Sequence, residues 1–169
     1  MFDIKLDYND IKITSVERED IKDIYNWIKM QNSFYVKNEK MDNVDYSEFY
    51  DRFLEYYFSE CEFFLKVKKH DKLIGVLKGK TEFKNPNEVW IIYLLLDKHI
   101  RNNKIGSKIL ELISKYFLCD CGISNFYTRV QKEDYKYINF FEKNKFYVSK
   151  TLKNKNEEVT ILKKHMLKT

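Results

Sequence analysis

Arg101, Lys104 and Gly106 fall close together in the segment Arg101-Asn102-Asn103-Lys104-Ile105-Gly106-Ser107, and this combination suits one task, the holding of an anion. Two cations lie in a short polar turn, and a glycine stands where the turn passes into a helix. The first N–H groups of a helix have no carbonyl to bond, so they converge on one spot where negative charge is favoured. A phosphate is the guest that such a turn predicts.

The elements on either side must hold that turn. Before it, residues 89–96 form an unbroken apolar run of strand length, rich in β-branched and aromatic residues. Such a run reads as a central strand buried on both faces, and Asp97 ends it. After it, Ile105, Ile109, Leu112, Ile113, Tyr116 and Phe117 recur at helical spacing. The unit is strand, turn, helix.

The rest of the chain builds a sheet around this unit. Residues 11–16 alternate as a first strand, and Ser15 with Arg18, Glu19 and Asp20 marks a helix start. Ile21, Ile24, Tyr25 and Ile28 then share one helical face, with Trp27 at its edge. Residues 30–43 are polar and break the period. A second helix is predicted from residue 46 to 58 by Phe49, Tyr50, Phe53, Leu54, Tyr57 and Phe58 at spacings of three and four. Residues 62–69 and 72–83 read as an antiparallel hairpin turning at His70-Asp71, and Asn85-Pro86-Asn87 leads into the central strand. Cys121-Gly122 ends the next helix. Residues 123–130 then make a strand that a right-handed crossover sets parallel to the central one. Residues 134–144 form a short helix with Tyr137, Ile138 and Phe141 on one side, and 146–152 with 158–164 close the chain as a hairpin. The order β-α-α-β-β-β-α-β-α-β-β predicts one α/β domain over residues 1–169, a mixed, mostly antiparallel sheet with flanking helices.

Composition narrows the function. The 169 residues suffice for one self-sufficient core. A net charge of +5 suits an anionic partner, but the lysines are interleaved with acids, which favours a solvated surface over a nucleic-acid interface. No apolar segment approaches the ~20 residues that span a bilayer. Asp3, Lys5, Asp7 and Asp10 interrupt any signal-peptide pattern, so a cytoplasmic protein without a membrane partner is expected. Cys61, Cys119 and Cys121 are neither a disulfide framework nor a zinc set. Residues 75–81 imitate a phosphate-binding Walker loop inside a strand with no helix after it, which is a chance match.

The order of elements, the turn from Arg101 to Lys108 and the segment from Tyr137 to Phe146 resemble the GNAT N-acetyltransferase superfamily. The family's phosphate motif reads Arg/Gln-x-x-Gly-x-Gly/Ala; Arg101 and Gly106 match, and Lys104 stands at the first glycine. Its later helix reads Asn-x-x-Ala-x-x-x-Tyr-x-x-x-Gly-Phe. Phe146 matches it, with Asp134, Tyr137, Phe141 and Lys145 at the Asn, Ala, Tyr and Gly places. The resemblance spans residues 11–152.

This resemblance implies acetyl-CoA as cosubstrate, no metal, and direct transfer to an amine in a ternary complex. The cofactor-binding residues it implies are Leu94, Leu95, Leu96, Arg101, Asn102, Asn103, Lys104, Ile105, Gly106, Ser107, Asp134 and Phe141. A backbone N–H near Leu95 or Leu96 is the expected oxyanion donor. The usual acid is a Tyr at the place of Phe141; Tyr137, one turn earlier, either substitutes for it or packs in the core. Glu88 either draws off the acceptor's proton or is a solvated strand end. Lys104 either pairs with phosphate or faces solvent, and His99 lies in the same turn. Trp27, Phe34, Tyr35, Tyr50 and Tyr57 lie where the family shapes its acceptor pocket, though core packing explains them too. The acceptor class is a small-molecule amine, an aminoglycoside-like antibiotic or a protein N-terminus, and a homodimer is compatible with the family. A catalytically weak acyl-CoA-binding protein and a basic nucleic-acid-binding module are the competing classes.

Overall fold

A computed structural model describes residues 2–31, 44–153 and 157–167. Phe34 and Tyr35, nearly all of the polar stretch after the first helix and the tip of the closing hairpin lie outside the described residues. Eight strands are hydrogen-bonded in the order β1-β2-β3-β4-β5-β6-β8-β7. They are β1 (Lys5–Tyr8), β2 (Ile11–Ser15), β3 (Glu62–Lys69), β4 (Lys72–Glu82), β5 (Glu88–Leu96), β6 (Asn125–Gln131), β7 (Tyr147–Lys153) and β8 (Glu158–His165). The helices are α1 (Ile21–Met30), α2 (Tyr46–Phe58), α3 (Ile105–Cys119) and α4 (Tyr135–Lys143). Among the described residues β5 pairs with β6 in parallel, while β1–β2, β2–β3, β6–β8 and β7–β8 are antiparallel, so the sheet is mostly antiparallel as expected. The chain divides into two compact units, Met1–Lys78 with Leu94–Arg101, and Gly79–Tyr93 with Asn102–Thr169.

In the first unit β1, β2 and β3 form an antiparallel ladder. The strand β1 is an addition to the sequence reading; its burial is slight and only Leu6 is even half-covered, so it carries little apolar signal. Between β3 and β4 both His70 (φ 47°) and Asp71 (φ 61°) are left-handed, the pair of conformations that matches a two-residue hairpin to strand twist. Helix α1 buries Ile21, Ile24, Trp27 and Ile28, and α2 buries Phe49, Phe53 and Tyr56. Asp45 caps α2 by accepting from the Glu48 amide at 2.8 Å. Tyr25 joins the two helices, its ring 5.3 Å from Phe49 and its hydroxyl donating to the Val44 carbonyl at 3.0 Å. Ser15 is not the helix start the sequence led us to expect. Its hydroxyl is spent at the end of β2, accepting from the Ile4 amide and donating to the Phe2 carbonyl, and the chain enters α1 through a short 3-10 turn capped by Glu17 and Asp20.

In the second unit α3 buries Ile109, Leu110, Ile113, Phe117 and Leu118. Its C-terminal end is closed by Gly122 at φ 70° and by the Ile123 amide donating to the Phe117 carbonyl at 2.8 Å. β6 then pairs antiparallel with β8, and β8 with β7.

One expectation needs correction. β5 is not buried on both faces: Val89 and Ile91 are buried, but Trp90, Ile92 and Tyr93 are half-buried. The reason lies across the ladder, where Trp90 stacks on Tyr127 with centroids 4.9 Å apart and planes at 18°. Two aromatic rings cover each other there, and an apolar run of that kind needs no helix above every residue.

Candidate active site

The end of β5 lies in the first unit, with Leu94 and Leu95 buried and Leu96 half-buried. Three contacts fix this short segment. The Asp97 amide donates to the Ile74 carbonyl at 2.9 Å, and Arg101 Nε donates to the Leu96 carbonyl at 2.9 Å. The third is a close approach: a Cβ on Gly75 would stand 2.8 Å from the Leu95 carbonyl oxygen and 2.5 Å from Leu96 Cδ2. Since one of those atoms is backbone, the site takes only glycine without a shift. A glycine inside a strand is the signal of such an approach. Arg101 remains exposed, so its outer guanidinium nitrogens face solvent while Nε holds the strand end. Asp97 turns the chain by accepting from the His99 amide at 2.9 Å, and His99 itself is exposed.

The turn after it lies in the second unit. Asn102 (φ 68°) and Lys104 (φ 59°, ψ 2°) are both left-handed. Helix α3 begins at Ile105 with no side-chain cap, and its first bond runs from the Lys108 amide to the Lys104 carbonyl at 3.0 Å. The amides of Ile105, Gly106 and Ser107 therefore precede the first helical bond, at the positive end of the helix dipole. Asn103 and Lys104 are exposed beside them, and Gly106 is buried. This donor set fits a phosphate-bearing cosubstrate.

Helix α4 lies in the same unit. Asp134 caps it, accepting from the Tyr137 amide at 3.1 Å; burial pushes the Asp134 carboxyl above its usual range, and that N–H partly offsets the push. Phe141 is fully buried, its ring 5.2 Å from Tyr137, 5.2 Å from Phe140 and 5.0 Å from Phe146. Tyr137 is half-buried in this cluster. Lys145, at the place of the expected glycine, is left-handed with φ 66°.

Glu88 is more than a solvated strand end. Its side chain is only 12% exposed, and Oε2 accepts from Trp90 Nε1 at 3.1 Å and from Lys84 Nζ at 2.9 Å. Those carboxylates, Glu88 first and Glu82 second, raise the Lys84 ammonium above its ordinary range. Both donors fall on one oxygen, so Oε1 remains for another donor. Trp27 is buried, so core packing accounts for it, whereas Tyr57 is half-buried with the exposed Arg18 guanidinium 5.2 Å over its ring.

The sequence matches the model of the acetyltransferase (GNAT) domain over residues 13–159. The chain belongs to the GNAT acetyltransferase family. It is an acyltransferase by that membership, and acetyl-CoA is the cosubstrate that goes with it. Solved structures of GNAT enzymes share its fold. A spermidine N-acetyltransferase from Vibrio cholerae, in complex with CoA and spermine, is 13% identical with a TM-score of 0.76, covering 92% of this chain and 95% of the other. An acetyltransferase from Salmonella typhimurium that modifies the N-terminal serine of a 50S ribosomal subunit protein is 11% identical, TM-score 0.81, covering 94% and 96%. A ribosomal-protein α-N-acetyltransferase in complex with CoA is 10% identical, TM-score 0.83, also covering 94% and 96%. No curated protein matches the sequence significantly. Among the described residues no helix is long and apolar enough to cross a membrane, and no cluster of His, Cys, Asp and Glu has metal-binding geometry.

Two residues escaped the sequence reading. Gly75 was visible only as part of a false Walker loop, although its place inside a strand carried the right signal. Thr128, taken up below, carried none, because a threonine in a strand is ordinary.

Proposed function

We propose that this GNAT protein moves the acetyl group of acetyl-CoA to a primary amine by direct transfer in a ternary complex. The observation that carries the reading is the start of α3 behind left-handed Lys104, with no side-chain cap and three amides ahead of the first helical bond among the described residues. Acetyl-CoA supplies an activated acyl carbonyl with a thiol as leaving group. The amides of Ile105, Gly106 and Ser107 bind its phosphates, and Lys104 adds a cation next to them. A backbone N–H near Leu95 or Leu96 is the donor for the developing oxyanion, and the bond from Arg101 to Leu96 with the close approach of Gly75 holds that stretch still. Glu88 heads β5 and Leu95 stands seven residues on, roughly 23 Å along an extended strand, so Glu88 lies out of reach of that oxyanion and the acceptor's proton passes to water. The amine nitrogen then bonds to the acyl carbon, the C–S bond breaks, and CoA leaves as its thiolate, which takes its proton from water. In the solved relatives the acceptors named are spermidine and a protein N-terminal serine. We extend to this chain only their common feature, a primary amine.

The competing reading, an acyl-CoA-binding protein with little chemistry, is favoured by the fully buried Phe141 at the place of the family's acid. A thiol with a pKa near ~8.5 is a fair leaving group unaided, so we place the loss at the lower end of the ~10²–10⁴ that a general acid contributes. Calorimetric titration with acetyl-CoA, followed by an assay of amine-dependent thiol release, separates the two. Saturable binding with release supports transfer. Binding without release across polyamines, aminoglycosides and peptide N-termini leaves a binding protein, and no binding up to millimolar concentration refutes both.

A further inference from the structure

The parallel register of β5 with β6 runs from Glu88↔Asn125 to Ile91↔Thr128 and ends there, although β6 continues to Gln131 in register with β8. Thr128, at that last pair, is fully buried. Its Oγ1 has no hydrogen-bond partner among the described residues. A hydroxyl in that state costs more than a methyl group in the same place, so a valine there would suit the fold better.

The face on which Thr128 stands follows from the ladder. Phe126, two residues earlier, shares that face, and Phe126 is in register with Lys164. The Lys164 ammonium lies 5.7 Å over the ring of Phe146, which packs 5.0 Å from Phe141. The unpartnered hydroxyl and the ring at the place of the family's tyrosine thus belong to the same side of β6. Phe141 brings no hydrogen-bonding group to that side; Thr128 brings one.

We propose that the Thr128 hydroxyl donates a hydrogen bond to a carbonyl oxygen of the acyl-pantetheine arm of bound acetyl-CoA. This rests on the reading of the chain as an acetyl-CoA-dependent transferase. It makes Thr128 a ligand-binding residue that is unsatisfied until the cosubstrate arrives.

The test is Thr128→Val, with Thr128→Ser as the variant that keeps the hydroxyl. Two probes are titrated by calorimetry: acetyl-CoA, and adenosine 3′,5′-bisphosphate, which lacks the arm. Thr128→Val is expected to melt at a higher temperature without ligand and to bind acetyl-CoA about 3- to 10-fold more weakly, the share of one hydrogen bond. Its affinity for the bisphosphate stays that of the wild type, and Thr128→Ser keeps wild-type affinity for acetyl-CoA. Equal acetyl-CoA affinity in wild type and Thr128→Val overturns the inference while leaving the function standing. A lower melting temperature with equal losses for both probes also overturns it, because the hydroxyl would then be holding the sheet. Failure of the wild type to bind acetyl-CoA at all overturns the functional reading and takes this inference with it.

Discussion

Lys104 offers a perturbation whose effects on stability and on binding have opposite signs. Its backbone sits at φ 59°, ψ 2°, where a residue with a Cβ costs roughly 1–2 kcal/mol. Lys104→Gly removes that cost but gives the unfolded chain more freedom, worth about 0.4–1 kcal/mol in the other direction. The net expectation is a gain of about 0 to 1.6 kcal/mol, read as a rise in Tm of up to about 3–6 °C for a chain of this size. Binding moves the other way. An exposed cation beside a phosphate is worth about 0.2–1 kcal/mol, so acetyl-CoA should bind about 1.5- to 5-fold more weakly, and the difference should shrink as salt is raised. Lys104→Met separates the two effects, since it keeps the strained backbone and loses the charge: its Tm should stay near wild type while its affinity falls as in the glycine variant. Thermal unfolding and calorimetry at low and high salt supply both readouts. Unchanged or tighter binding by both variants would show that the ammonium points to solvent and would refute the ion-pair reasoning.

Other perturbations test further residues one at a time. Phe141→Tyr puts a hydroxyl into a fully buried aromatic cluster and is expected to cost about 1–3 kcal/mol in the absence of ligand while raising kcat; an unaltered kcat would show that the CoA thiol departs without an acid. Gly75→Ala forces a methyl group against the Leu95 carbonyl and should cost about 1–3 kcal/mol with a fall in kcat, checked by urea unfolding and steady-state kinetics; wild-type values of both would refute the close approach. Lys164 carries a pH effect. Burial first, then the charge of Lys145, push its ammonium below the ordinary 10.5, with Glu111 in part opposing. The unfolded chain then holds more protons than the native one between the lowered value and 10.5, so this group makes stability rise with pH across that window. Lys164→Met should be the more stable protein at pH 7 and lack this rise; unfolding curves at pH 7 and 10 that differ equally between variant and wild type would refute it.

Much of the fold could be read from periodicity, because most elements bury one regular face. The expected bounds of α2, 46–58, are those observed, though Tyr56 rather than Tyr57 or the exposed Phe58 joins Phe49 and Phe53 in the core, and the helix expected over 134–144 is α4 with Asp134 and Asn144 as its caps. β1 could not be read, since an edge strand with exposed Lys5, Asp7 and Tyr8 has no face to keep apolar. The half-exposure of Trp90 could not be read either, because it depends on the register that brings Tyr127 across from it. The same limit hid Thr128. Nothing in its identity tells that the parallel register ends there or that its hydroxyl lacks a partner.

The departures from the family's motifs have a common physical form. Where the phosphate turn ordinarily has its first glycine, this chain has Lys104 at φ 59°, and where the later helix is ordinarily followed by glycine it has Lys145 at φ 66°. In both places a lysine holds a left-handed backbone of the kind that favours glycine. Each such lysine costs roughly 1–2 kcal/mol, a tolerable fraction of the ~5–15 kcal/mol by which domains are stable. The fold therefore dictates the conformation at these two points more strongly than local preference does. It follows that a mismatch to glycine in a motif of this kind is poor grounds for declaring the site lost: on the proposed function a phosphate meets the direction of three amides, and that direction is set by φ and ψ at residue 104, not by the absence of a side chain there.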